Sequence, residues 1–441
     1  MFKPNRKQTI LGRAWACATI ASLVCFSLVL AASGGLDTSF HGTGKLSMSF
    51  APYQSNWARA VAIQTDGKIV VVGDTSSYPE IHNIYIARFT TTGALDTSFN
   101  HTGKVAPALG GKSYGWGVVI DKNTGKIIVA GEKCNSDGST CGVAVLRYNP
   151  NGSLDTSFNG RGYRIDNYGN GADASYRAVA LQSDGKIIVG GYLWNFTNKN
   201  TDFTISRYTI AGALDTSFNG TGKKSVAFAA GWDDDLAGIA IQPADGKIIV
   251  AGYTCDSGTH CNFALARLKP NGSLDTSFNG TGKQTTDFGG GGAEANSIAL
   301  QSNGKIVLAG YKETEITPGD FSSNFALARY TTNGSLDTGF GGTGKKVLDF
   351  SGKHIDNSVN SVSIAPTTGK IVICGNSNHD FALARLTTAG TFDTTFNGTG
   401  KVSIDFGGND SCHALAIQPK DGKYVVAGSL TDILALARVL P

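Results

Sequence analysis

Asn149-Pro-Asn-Gly-Ser-Leu-Asp-Thr-Ser-Phe-Asn-Gly-Arg-Gly162 recurs in close copies seven times, at a spacing of about sixty residues. Its Leu-Asp-Thr core starts at Leu36, Leu95, Leu154, Leu214, Leu274 and Leu336, and Phe392 opens a seventh copy. A fixed period of this length marks one supersecondary unit repeated in a stack or a ring. After Gly-Thr-Gly-Lys comes a short apolar strand, as in Lys401-Val-Ser-Ile-Asp-Phe406, and then a variable loop. A second strand such as Ser297-Ile-Ala-Leu-Gln301 ends in Asn-Gly-Lys, Asp-Gly-Lys or Thr-Gly-Lys. These glycine turns between apolar runs predict tight hairpins, because their central residues need positive φ. The third strand, for instance Ile248-Ile-Val-Ala-Gly-Tyr253, is continuously apolar and reads as covered on both faces. A second variable loop leads to a fourth strand, such as Phe263-Ala-Leu-Ala-Arg267, which alternates large and small.

Four antiparallel strands per unit and seven units predict an all-β fold, a seven-bladed β-propeller; a β-solenoid, with shorter coils, fits the hairpins less well. The 441 residues then hold one domain over 34–441, with 58 glycines, 11 prolines and 16% charged residues suiting an all-β chain rich in tight turns. The combination of Leu-Asp-Thr-Ser-Phe-Asn-Gly-Thr-Gly-Lys, Asp-Gly-Lys-Ile-Val-Val-Ala-Gly and Phe-Ala-Leu-Ala-Arg-Tyr resembles the delta-60 repeat family of mainly bacterial proteins, over residues 34–438. That resemblance implies a propeller-like array on exported proteins of generally unassigned activity. Departures are small: Gly339 and Thr395 replace the serine, His101 a glycine and Tyr163 the turn lysine.

Residues 1–33 read as a signal peptide, with basic Lys3, Arg6, Lys7 and Arg13, an uncharged run from Ala14 to Leu30, and small residues at Ala31-Ala32-Ser33. An uncleaved anchor is the alternative, since the run approaches spanning length. The expected destination is secreted, periplasmic or cell-surface, with no stable membrane insertion after cleavage, and the chain is expected to be a monomer. Cysteine usage agrees with export: Cys134 with Cys141, and Cys255 with Cys261, bracket short loops at like positions in two copies and are expected to form disulfides. With only His260 nearby, two thiolates make an incomplete zinc site. The pairing of Cys374 and Cys412 stays open.

Six arginines stand eight residues before an aspartate, as Arg88 and Asp96, Arg147 and Asp155, Arg207 and Asp215, Arg267 and Asp275, Arg329 and Asp337, Arg385 and Asp393. A guanidinium on a carboxylate can tie the strand end to the next turn, and bidentate geometry is open to it. Asp37 has no arginine before it and Arg438 no aspartate after it. If the ring closes, with Lys45–Phe50 supplying the outer strand of a blade begun by residues 413–438, these two form the seventh pair. A calcium reading of Asn-Gly-x-x-Asp is weaker, because the first ligand position drifts and no second carboxylate recurs.

Strand parity places the Leu-Asp-Thr turns and the Gly-Lys hairpins on one face, where Lys68, Lys186, Lys247 and Lys305 read as solvated charges. The variable loops fall on the other face with Trp57, Glu80, His82, Tyr114, Trp116, Tyr176, Trp194, Trp232, Asp233, Asp234, Asp235, Glu313, Glu315, His354, Asp356 and His379. Function on a rigid frame sits on its variable loops, which makes Trp57, Trp116, Tyr176, Trp194, Trp232 and Asp234 the ligand-binding candidates. A net charge of +4 without a basic aromatic stripe argues against nucleic acid. No phosphate loop, zinc spacing or nucleophile elbow is present, so no metal, cofactor or catalytic residue is assigned. The expected role is a non-catalytic scaffold for a glycan or protein ligand. A secreted propeller hydrolase or lyase acting on polysaccharide, and a purely structural surface protein, are the alternatives.

Overall fold

The structure is a computed structural model and describes residues 32–50, 55–77, 81–167, 174–195, 199–256, 260–317, 320–352 and 356–441. Most of the expected signal segment, together with Glu80 and His354, lies outside the described residues.

Seven four-stranded antiparallel sheets form the blades of a propeller. Blade 1 runs in order Ser55–Ile63, Ile69–Ser77, Ile81–Phe89 and Lys104–Val105 from the inside out. Blades 2 to 6 follow over 113–166, 174–226, 233–286, 293–348 and 357–404. Each blade thus takes three strands from one sequence copy and its outer strand from the segment after the next Leu-Asp-Thr turn. Blade 7 contains Asp410–Ile417, Tyr424–Leu430 and Ile433–Val439, and its outer strand is Lys45–Met48 from the other end of the chain, paired Lys45 to Ala437 through Met48 to Leu434.

The seam repeats the contacts found at every other joint. The amide of Asn159 donates to the carbonyl of Ala211 one repeat on, and by the same rule Asn397 donates to Ser33 at 2.9 Å and His41 to Thr92 at 2.8 Å. Ser33, at the end of the expected signal segment, is therefore part of the ring. Gly162, like its counterparts Gly44 and Gly400, holds φ near +82°, and an added Cβ would lie 2.7 Å from that of Leu154. Only glycine satisfies both constraints.

The core lies between blades. In blade 4, Phe263 and Leu265 pack into the joint with blade 5, while Ala264 and Ala266 face blade 3. The period-two alternation read in the sequence therefore becomes a rule for successive joints, with large side chains forward and small ones back. The phenylalanine of each Leu-Asp-Thr turn, from Phe40 to Phe396, is fully buried.

Three disulfides are formed. Cys134–Cys141 and Cys255–Cys261 are cross-strand pairs at hairpin ends, whereas Cys374–Cys412 joins blade 6 to blade 7 across 38 residues. Cys412 lies within its strand, Asp410–Ile417. In the chain-entropy account a loop of that length is worth about 4 kcal/mol and the short loops about 2 kcal/mol each. Replacing Cys374 and Cys412 together by serine is accordingly expected to lower stability in guanidinium unfolding by nearly twice as much as opening either hairpin bridge. Among the described residues no helix is long and apolar enough to cross a membrane.

Candidate binding site at the channel mouth

The two faces of the disc differ in kind. On the turn face all seven Arg–Asp pairs are made at 2.6 to 2.8 Å, including Arg438 with Asp37 at 2.7 Å. The contact is not a parallel fork. In blade 1, Nε of Arg88 donates to Asp96, Nη2 donates to Ser98, and Nη1 reaches the carbonyl of Pro150 in the next blade. The guanidinium lies 4.6 Å from the centre of the Phe99 ring. One residue therefore ties a strand end, a turn and the neighbouring blade together.

The turn lysines are not merely solvated. Lys68, Lys126, Lys186, Lys247, Lys305, Lys370 and Lys423 each stand 2.6 to 3.2 Å from the same repeat aspartates. Burial alone would raise Asp96, but hydrogen bonds from Ser98 and Lys68 and the charge of Arg88 outweigh it and hold the group at about 2. Asp37, Asp215 and Asp275 sit at about 2 by the same balance. A face whose Arg, Asp and Lys are used seven times for internal fastening is scaffold.

Midway between the two faces the inner strands break their own regularity. Each carries a one-residue bulge, at Arg59, Trp116, Arg177, Ala237, Asn296, Asn360 and His413. A bulge leaves one residue unpaired and re-aims its side chain. The partner strand meets it with glycine: a Cβ on Gly73 would lie 1.8 Å from the carbonyl oxygen of Trp57, and Gly252 meets Asp235 in the same way at 1.9 Å. All seven bulge residues line a central channel of about 510 Å³, whose wall continues through Val61, Val118, Val179, Ile239, Ile298 and Leu415. A polar ring thus sits over an apolar collar.

The ring is chemically uneven. On blades 1 to 3 the Arg59 guanidinium lies 4.5 Å from the Trp116 ring and 5.9 Å from Trp57, with Arg177 6.0 Å from Trp116 and 5.1 Å from Tyr192. Arg59 Nε also donates to the buried carboxylate of Asp74 at 3.0 Å, beside His82, whose ring is 4.8 Å from Tyr114. Trp116 Nε1 donates to Glu132 at 3.3 Å. On blades 4 and 5 Tyr253 donates to Asp235 at 2.8 Å. There burial, then the charges of Glu313 and Asp235, push the Glu294 carboxyl up. On blades 5 to 7 the bulge side chains hand a hydrogen bond to the next blade: Asn296 to the carbonyl of Val359 at 3.0 Å, Asn360 to Cys412 at 2.8 Å, and His413 Nδ1 to Ala58 at 2.9 Å. Burial, then the nearby Arg59 charge, pulls His413 down to about 4, which keeps the ring neutral.

Of the candidates named from sequence, Trp116 lines this channel, and Trp57 stands outside its lining, 5.9 Å from Arg59. Trp194 and Trp232 flank the tip of blade 3 instead: Trp194 pairs with Thr201, and the Trp232 carbonyl accepts from Asn200 at 2.8 Å. Two candidates fall away. Tyr176 is wholly buried against Ser206, and Asp234 is wholly buried with one oxygen accepting from the amide of Phe228 at 2.8 Å. Burial pushes Asp234 up to about 6. The sequence reading missed Arg59, Arg177, Asn296, Asn360 and His413. Their signal was present: each stands nine or ten residues before a turn lysine, opposite a glycine inside an apolar strand, and such a glycine indicates a bulge or close backbone approach.

Six segments, 64–99, 122–158, 182–218, 244–278, 301–340 and 367–396, match the family model described as domain of unknown function (DUF5122) beta-propeller. Each ends on the buried turn phenylalanine, and the seventh unit has no contiguous counterpart because it is divided between the two ends of the chain. These matches support a propeller repeat family. No curated protein matches the chain. Solved structures of similar fold include an alpha-L-arabinofuranosidase variant from Fusarium graminearum with an iminosugar inhibitor, at 10% identity over 88% of this chain and 93% of that one, TM-score 0.42. Another is Penicillium chrysogenum alpha-L-arabinanase with arabinobiose, at 10% identity over 89% and 98%, TM-score 0.43. At these values the likeness says nothing about activity.

Proposed function

We propose that this is an exported propeller that binds a carbohydrate at the channel mouth of its variable face. The supporting observation is the bulge ring: one backbone device, repeated seven times, presents Arg, Trp, Arg, Ala, Asn, Asn and His. A position fixed by the scaffold that carries five residue types in seven copies is where a repeat protein gains specificity. Guanidinium and amide groups, the hydroxyls of Ser297 and Ser361 and the Trp116 ring around one opening suit a ligand rich in hydroxyl groups, which needs many oriented partners and little net charge. Export agrees with the three disulfides and with the N-terminal run.

The test is an oligosaccharide array of neutral and uronate-bearing chains, probed with the purified protein and with Trp116→Ala. The variant is expected to bind at least tenfold more weakly while keeping its thermal stability. Retention of no glycan by the parent, with capture of a protein or nothing at all, contradicts the reading. A second reading, polysaccharide hydrolysis, is favoured by one observation: burial, then the charges of Glu313 and Asp235, push the Glu294 carboxyl up, as a general acid requires. Glu294→Gln separates the two, since it abolishes hydrolysis and spares binding.

A further inference from the structure

Where blade 6 meets blade 7, Asp380, Asp405 and Asp410 bring one carboxylate oxygen each within 4.8 Å of one another. Asp410 is 2% exposed; one of its oxygens accepts from the amide of Phe406 at 2.5 Å, and the other is buried with no hydrogen-bond partner. None of the three acids is in a salt bridge among the described residues. Lys45 donates to the backbone carbonyl of Asp405 at 2.6 Å and its charge reaches Asp410, but one cation faces three carboxylates. Ser403 donates to Asp380 at 2.8 Å and Gly407 to Asp405 at 2.5 Å, which hold two of the carboxylates in place.

The propeller builds this joint seven times, so the repeat supplies its own control. At the corresponding positions the other joints carry Asn83, Ala108 and Ser113; Gly142, Asn167 and Ala174; Asp202, Ala227 and Asp234; Asn262, Asp287 and Ala293; Asn324, Asp349 and Asn357; Ile433, Ser49 and Asn56. Only one joint has three acids. The scaffold therefore does not require them, and three carboxylates converging on a buried unsatisfied oxygen repel one another unless a positive charge joins them.

We propose that Asp380, Asp405 and Asp410 bind a hard divalent cation, calcium before magnesium. The donors are all oxygen, which excludes a preference for soft metals, and a three-carboxylate set completed by water suits the larger ion with its irregular coordination. The cation would fasten blade 7 to blade 6 beside the Cys374–Cys412 bridge, next to the blade that closes the ring.

The experiment is thermal unfolding of the chelator-treated protein on addition of calcium or magnesium chloride, with terbium luminescence as a direct report of occupancy. Saturating calcium is expected to raise Tm by about 3 °C. Asp405→Asn, at an exposed position where folding is not at stake, is expected to abolish the shift and the luminescence together. Asp287→Asn alters the equivalent turn in a joint without the other acids and is expected to leave both unchanged. A parent protein whose Tm ignores both ions and which sensitises no terbium overturns the proposal, as does an Asp405→Asn variant with the full response.

Discussion

Acidification below about pH 4 will unfold this protein in one steep transition. Asp37, Asp96, Asp215 and Asp275 are held at about 2, and Asp155, Asp337 and Asp393 are lowered by the same set of contacts. An aspartate in the unfolded chain titrates near 3.9. Between those values the unfolded state binds more protons than the folded one, so the stability these groups contribute is complete above about pH 4 and lost as pH falls through about 2. Because every staple spans two blades, protonation loosens all joints over the same interval. Circular dichroism melts across this range are expected to show Tm falling steeply. A Tm that stays level down to about pH 2 would contradict the stapling role.

Replacing Arg438 by alanine is expected to cost about 3 kcal/mol, the low end of the range for breaking a buried ion pair, because Lys423 still stands 2.9 Å from Asp37. Arg438 contacts Asp37, Ser39, the carbonyl of Thr91 and the Phe40 ring, the same four contacts that Arg147 makes with Asp155, Ser157, Ile210 and Phe158. If the ring has no energetic ends, Arg438→Ala and Arg147→Ala will shift the denaturant midpoint equally. A much smaller effect at Arg438 would mean that the seam is looser than the other joints.

The architecture was legible because it rests on short-range chemistry repeated in register. Glycine turns between apolar runs gave the hairpins, and alternation in Phe263-Ala-Leu-Ala gave the buried strand. The orphaned Asp37 and Arg438 pointed to the pairing of the chain ends. The site was less legible. Lysines placed by a turn in one strand pair meet aspartates of a later turn, and no local pattern shows that distance closing. A bulge shifts side-chain parity by one residue within a strand, so Arg59, Arg177 and His413 looked like ordinary strand residues, while Tyr176, beside the shift, and Asp234, three residues before it, looked loop-borne. The acids of the blade 6 and 7 joint come from three strands' ends and converge only once the blades are packed.

Hydrogen–deuterium exchange of the full protein, with and without the tightest-binding oligosaccharide found on the array, tests the central claim most directly. Binding at the channel mouth predicts slowed exchange in peptides spanning 55–61, 113–118, 174–179 and 410–415, with the Leu-Asp-Thr turns unchanged. Protection confined to those turns or to the outer strands, with the inner strands unaffected, would contradict it.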